Sequence, residues 1–235
     1  MLRTLFFFTL FGPWTLLSMS VGIPLSFLSP DYLHNVARFW GKGCLLLGGA
    51  KLDVTGIENI PTDRPVIFMP NHQSNFDIPA LFSAIPGQFR WLAKMELFKV
   101  PLFGLTMRRS GYIPIDRSNR RKSLESIRLA AQRISNGTSV VIFPEGTRTS
   151  DGKLQLFKKG GFHLALQAGV SVIPVTIDGS YAMMPKHRTR IDKGSIRVTF
   201  HPELPGEDLV GKAIDDVMEQ VRQPLASTLS NRSAA

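Results

Sequence analysis

Cysteine is nearly absent: Cys44 is the single one among 235 residues. One thiol supplies neither an internal disulfide framework nor a thiol cluster for zinc. A reducing compartment is the default that follows. Acidic residues are also in deficit, with 18 Asp and Glu against 28 Lys and Arg and a formal charge of +10. That sign selects a polyanionic partner: nucleic acid, an anionic membrane surface or a small polyanionic substrate. No nucleic-acid recognition motif or basic–aromatic interleaving supports the first. No G-x-S-x-G elbow is present, which removes the usual signature of an exposed acyl-enzyme serine. No internal repeat or low-complexity segment divides the chain, and the one candidate boundary falls near residue 50.

Charge is missing altogether from residues 5–28, "LFFFTLFGPWTLLSMSVGIPLSFL". About 20 apolar residues suffice to cross a bilayer core, although Pro13 and Pro24 should kink or end a helix. Trp14 suits the headgroup level. The next piece, "DYLHNVARFWGKGCLLLGG", mixes apolar groups with His34, Arg38 and Lys42. That mixture suits a helix lying in the interface, its basic stems reaching outward. Together the two pieces read as a two-helix membrane anchor over residues 1–50, crossing the bilayer or dipping into one leaflet. A secretory signal peptide is the alternative, but the apolar run is long and no clear A-x-A cleavage site follows. Buried helices of a soluble core are the remaining one.

From Lys51 to the end, residues 51–235, short β-rich runs alternate with helical patterns. "KLDVTGI", "PVIFMP", "FRWLAK", "GYIPID", "SVVIFP", "VSVIPVTI" and "SIRVTFH" have strand length and composition. Between them, "RRKSLESIRLAAQRISNG" places Leu124, Ile127, Leu129, Ala130 and Ile134 at amphipathic helical spacing, closed by Asn136-Gly137. The last stretch reads as a polar-faced helix interrupted near Pro224. This alternation predicts an α/β fold, a mostly parallel central sheet flanked by helices. Sites in such sheets gather beyond the C-terminal strand ends.

Polar groups cluster at those ends. "NHQSNFD", residues 71–77, follows a buried-looking strand. Ser74 to Asp77 has the spacing of a capping box, with Ser74 or Asn75 as N-cap. His72 and Asp77 also fit a base and the carboxylate that orients it: histidine changes charge near neutral pH, and a carboxylate on one ring nitrogen fixes its tautomer. "VVIFPEGTRTS", residues 140–150, ends a strand in a turn made by Pro144 and Gly146 and offers the Arg148 fork to a phosphate. Glu145 should repel a phosphate and orient an arginine or the turn instead. Lys94 and Arg117 also stand at predicted strand ends, so with Arg148 three cations should converge on one side of the sheet. An ordinary helix cap and a solvated Glu–Arg loop are the plain alternatives.

Taken together, "NHQSNFD", "GYIPIDR", "FPEGTR" and "VIPVTI", with "KMELFKVPLFG" and "FKKGGFHLALQAGV" between them, resemble the glycerol-phosphate acyltransferase superfamily, specifically its 1-acyl-sn-glycerol-3-phosphate acyltransferases. The match covers roughly residues 65–180. The resemblance implies acyl transfer from a thioester of coenzyme A or acyl carrier protein to the free hydroxyl of lysophosphatidic acid, giving phosphatidic acid. His72 would be the base and Asp77 its partner. Arg117 and Arg148 would hold the acceptor phosphate, with Lys94 a third contact. Glu145, Gly146 and Thr147 would shape that pocket, and Pro174 the strand near the acyl chain. No cofactor or metal is implied: His163 sits in a helical pattern, and His187 and His201 lack ligand spacing. The expected partners are the two substrates, membrane lipid and acyl carrier protein, without nucleic acid. The expected location is a bacterial-type inner (cytoplasmic) membrane, the site on its cytoplasmic side. Another lysophospholipid or lyso-amino-lipid acceptor, or a non-catalytic lipid-phosphate-binding role, are the alternative readings.

Overall fold

The apolar runs beyond residue 50 pair into one seven-stranded sheet, seen in a computed structural model that describes residues 1–116 and 120–233. Its strands are β1 (Ala50–Thr55), β2 (Val66–Pro70), β3 (Arg90–Lys94), β4 (Ile113–Ile115), β5 (Val140–Val141), β6 (Ser171–Asp178) and β7 (Gly194–Phe200). They lie in the order β1-β7-β6-β2-β5-β3-β4. All neighbours run parallel except β6 and β7. The fold is therefore α/β with a mostly parallel sheet.

Every residue of β2 is buried, as expected of a parallel strand covered on both faces. The pleat sends alternate side chains to opposite sides, and two cores result. Phe68, Val141, Ile173 and Val175 join one; Ile67, Met69, Val140 and Val172 join the other. Helices α1 (Leu2–Leu25), α2 (Pro30–Gly48) and α3 (Asp77–Ala84) feed Phe7, Leu45 and Phe82 into the first core. The short α4 (Phe103–Arg109) adds Met107. The second core takes Ile127, Ala130, Ala131 and Ile134 from α5 (Arg120–Ser135) and Phe162 from α6 (Lys159–Ala168). The one-turn helices α7 (Ser180–Met183) and α8 (Gly206–Leu209) precede α9 (Ile214–Ser233), which adds Val217, Val221 and Leu225.

Three local expectations are corrected. Leu124 and Leu129 are exposed, because the buried stripe of α5 is Ile127, Ala130, Ala131 and Ile134. The terminal segment breaks at Gly211, which takes φ +80°, and α9 runs on through Pro224. Burial of Val217, Val221 and Leu225 at intervals of one helical turn outweighs the missing proline N–H. In α1 the helix likewise continues past Pro13. Just beyond it, Trp14 Nε1 donates to the Trp40 carbonyl and Trp40 Nε1 to Thr15 Oγ1, both at 3.0 Å. Helix α2 thus clamps the turn that proline weakens.

The α1–α2 hairpin is packed onto the sheet domain. Arg90 pairs with Asp31, Gln88 donates to Asn35 at 2.9 Å, and Arg109 donates to the Ser26 hydroxyl and carbonyl at 3.0 Å each. Gly41 lets α2 approach α3: a Cβ there would lie 2.9 Å from Phe82 Cβ and 3.0 Å from the Pro79 carbonyl. The outward side chains of α1, among them Leu5, Phe6, Leu16, Leu17 and Val21, remain exposed. We expect Gly41→Leu to destabilise the folded chain by about 1–3 kcal/mol through overpacking. A lower denaturation midpoint in neutral detergent is the expected reading; an unchanged midpoint would show that the hairpin does not hold this seat.

Candidate active site

Strand β2 ends in Pro70, and Asn71 continues its ladder with a side chain in place of backbone. The Asn71 amide donates to the Ile177 carbonyl at 2.8 Å and accepts from the Ile177 N–H at 2.7 Å. His72 then leaves the sheet with both backbone groups held. Its N–H donates to Glu145 Oε1 at 2.6 Å, and its carbonyl accepts from Thr149 N–H at 2.9 Å.

Asp77, fully buried at the start of α3, faces this loop. Its Oδ2 accepts from His72 Nδ1 at 2.7 Å, from Gln73 N–H at 2.6 Å and from Ser74 N–H at 2.8 Å; its Oδ1 accepts from Ser180 Oγ at 2.5 Å. The cap-like and the histidine-orienting geometries therefore coexist in one carboxylate. Neither Ser74 nor Asn75 is the N-cap. Phe76 holds that position without a side-chain cap: Ser74 Oγ accepts from the Phe76 N–H at 3.2 Å, ahead of the helix, and donates to the Met184 carbonyl at 2.8 Å.

A carboxylate accepts only, so the bonded Nδ1 carries the proton and Nε2 of the neutral ring keeps its lone pair. Among the described residues Nε2 has no hydrogen-bond partner, and the side chain is 15% exposed. The ring stacks on Phe143 with centroids 3.8 Å apart and planes at 14°, and Phe143 in turn stacks on Trp91 at 5.7 Å. The imidazole is thus held by its face, its backbone and one nitrogen, while one edge stays open. Geometrically that edge can take a proton from an incoming group.

Glu145 is buried, and its second oxygen accepts from Gln155 N–H at 2.8 Å. Burial pushes its pKa above the ordinary carboxylate value, against the opposing pull of the two amides. Its carboxylate holds the loop rather than facing solvent. Gly146 takes φ +70° in the turn, and its N–H donates to the Phe143 carbonyl at 3.0 Å. Thr147 is exposed and accepts from Lys186 Nζ at 3.3 Å; Arg148 is half-buried and pairs with no carboxylate among the described residues. Lys94 is exposed at the end of β3. Arg117 lies outside the described residues. Hydrogen bonds thus join His72, Asp77 and Glu145 directly, and the sheet order sets β5 and β3, the strands that precede Arg148 and carry Lys94, side by side. No group of three or more His, Cys, Asp or Glu side chains among the described residues is placed to hold a metal.

Sequence reasoning missed Ser180, Gln155, Phe143 and Lys186. For Ser180 a signal existed: Gly179 follows a buried strand and takes φ +87°, and a Cβ there would lie 2.1 Å from the Ser195 carbonyl. The turn that delivers Ser180 to Asp77 is therefore open to glycine alone.

The sequence profile of the family described as Acyltransferase matches residues 51–178. The chain is 33% identical, over 87% of its length and 60% of the other's, to the chloroplastic 1-acyl-sn-glycerol-3-phosphate acyltransferase LPAT1 of Arabidopsis thaliana. It is 32% identical to the 1-acyl-sn-glycerol-3-phosphate acyltransferase of Limnanthes alba, over 80% of its own length and 69% of that protein. It spans 53–60% of the length of the chloroplastic and algal relatives it matches. The crystal structure of the 1-acyl-sn-glycerophosphate (LPA) acyltransferase PlsC from Thermotoga maritima superposes with a TM-score of 0.86 at 27% identity, covering 100% of this chain and 96% of that one.

Glu145 gives a signed test. Its folded pKa is raised above 4.5, so the folded chain holds this proton more tightly than the unfolded one. Its contribution to stability is then most favourable below the unfolded pKa and falls as pH rises through the folded one. Glu145→Gln keeps one acceptor and turns a donor toward an amide, at a cost of about 1–3 kcal/mol. Urea unfolding across a pH series should show the gap between wild type and Glu145→Gln narrowing as pH rises. A gap that widens would contradict the burial argument.

Proposed function

The chain belongs to the acyltransferase family, and from that premise we propose that it moves a fatty acyl group from a thioester to the sn-2 hydroxyl of 1-acyl-sn-glycerol-3-phosphate, forming phosphatidic acid. The observation that carries the reading is the 2.7 Å contact between His72 Nδ1 and Asp77 Oδ2, with Nε2 left unpartnered among the described residues. In this reading Nε2 takes the hydroxyl proton as the oxygen attacks the thioester carbonyl. The tetrahedral intermediate expels the thiolate as the C–S bond breaks, and the imidazolium returns the proton to sulfur. Atoms and charge balance with no metal or redox partner. Asp77 stabilises the imidazolium and fixes its tautomer, a role that positioned bases of this kind require.

The acceptor phosphate is assigned to Lys94, Arg117 and Arg148. Glu145, Gly146 and Thr147 shape that pocket, in the turn that carries Arg148. Two divisions are proposed: residues 1–50 as a two-helix membrane anchor and residues 51–235 as the acyl-transfer unit. Helix α1 is 24 residues long and apolar enough to cross a membrane, and a site for lipid substrates placed at the bilayer avoids extracting them into water. The proposed seat is a bacterial-type inner membrane, with the site facing the cytoplasm; the free, buried Cys44 accords with that compartment.

His72→Ala should lower turnover by about 10²–10⁴ or more while the protein still folds and partitions into vesicles. Undiminished turnover by purified His72→Ala protein would remove the base. Arg148→Ala should raise the acceptor KM about tenfold, a loss of about 1.4 kcal/mol, with the donor KM unchanged. Product mass from labelled lysophosphatidic acid reads both.

A further inference from the structure

The donors to Asp77 divide unevenly between its two oxygens. The His72 imidazole and the N–H groups of Gln73 and Ser74, all from one loop, meet Oδ2. They fix where that oxygen sits, but the carboxylate can still turn about it, because a terminal sp³–sp² torsion has no staggered wells to hold it. Among the described residues Oδ1 accepts from Ser180 Oγ alone, at 2.5 Å, and both side chains are fully buried. Ser180 lies beyond residues 51–178, the segment that matches the family. The turn that brings its hydroxyl is braced on several sides. Met183 is fully buried, and Met184 N–H donates to the Ser180 carbonyl at 3.2 Å. The Met184 carbonyl accepts from Ser74 Oγ at 2.8 Å, and Tyr181 Oη donates to the Ser150 carbonyl at 2.9 Å.

A fixed donor on the second oxygen of a buried carboxylate does two things. It sets the carboxylate plane, and with it the direction of the imidazole edge that stays open. It also draws off charge that the imidazolium would otherwise meet in full. A base held by such supporting contacts keeps its productive geometry. We propose that Ser180 is a positioning residue for His72: through Asp77 Oδ1 its hydroxyl orients the carboxylate and tempers the basicity of the ring. This rests on the acyl-transfer reading above and adds to it a residue that acts only through Asp77. The other groups around the ring are untouched by a change at Ser180. Glu145, from the turn after β5, holds the His72 N–H at 2.6 Å. Arg148 follows on that turn, and Lys186 meets its Thr147 at 3.3 Å. The ring face rests on uncharged Phe143.

The test uses the full chain in neutral detergent. Ser180→Ala should lower kcat about 10–100-fold and leave the KM of donor and acceptor unchanged. The acidic limb of its kcat/KM profile should move to higher pH by about 0.5–1 pH unit, because a carboxylate with one donor fewer holds the imidazolium proton more tightly. The His72 ring titration, followed by nuclear magnetic resonance of the ring nitrogens, should move the same way. Loss of its signals in His72→Ala identifies that ring among the five histidines. Ser180→Thr keeps the hydroxyl and should return limb and titration toward wild type. Ser74→Ala cuts the other tie between the same turn and loop, and should leave both where they are. An unmoved limb and titration in Ser180→Ala would overturn the proposal. An equal shift in Ser74→Ala would also overturn it, since the effect would then be one of turn stability. Should Ser180→Ala not fold, Ser180→Cys, a weaker donor of similar size, reads the same ring titration, with a smaller upward shift expected and none overturning. Wild type inert with every thioester would sink the acyl-transfer reading, and the ring titrations would still decide Ser180.

Discussion

The buried carboxylate of Asp77 is the constraint on which the site depends. A charge taken out of water is tolerated only where its lone pairs are filled. Here donors come from an imidazole, two loop amides and a serine hydroxyl. They belong to the loop after β2 and to the turn after β6, while the carboxylate itself opens α3. Removing one donor leaves the others to absorb an unsatisfied charge, so the bonds stand or fall together. That coupling gives a largely buried histidine, open at one edge, the fixed orientation that a solvated loop cannot supply.

A second carboxylate, Glu145, repeats the device one strand away. It is spent on the amides of His72 and Gln155, so the loop carrying the histidine and the turn carrying Arg148 share one internal brace. The α1–α2 hairpin is tied to the same assembly. The Phe7 ring of α1 packs at a tilt against Phe76, the residue before Asp77, with centroids 5.6 Å apart, and a Cβ on Gly48 of α2 would lie 2.4 Å from the Phe76 ring. Helix, loop and carboxylate are therefore in contact.

Much of this was legible beforehand, and for physical reasons. Buried parallel strands read as β-branched runs, so β2 and β6 announce themselves, and a histidine and an aspartate close behind such a run point to a strand-end site. What escaped depended on tertiary context. Strand β5 keeps only Val140 and Val141 in the ladder because the chain turns away at Pro144 and Gly146. The prolines at 13 and 224 were read by their local cost, while packing against α2 and the second core decided the outcome. Leu124 and Leu129 fit a helical stripe on paper, yet Ala130 and Ala131 are the side chains small enough to lie against the sheet. Ser180 sits over 100 residues from its partner Asp77, a separation that no local pattern encodes.

One topological fact explains why the chain beyond β6 could add a wall to the site at all. Between parallel strands the connection must travel back to the opposite end of the sheet before the next strand begins. β7 instead runs antiparallel to β6, so the chain that leaves the C-terminal end of β6 re-enters the sheet at that same end. Everything between Asp178 and Gly194 therefore stays on the side where His72, Glu145 and Lys94 emerge. The reversal of one strand turns what would have been a crossover into a local loop, and it places Ser180 against Asp77 and Lys186 against Thr147 with a single change of direction.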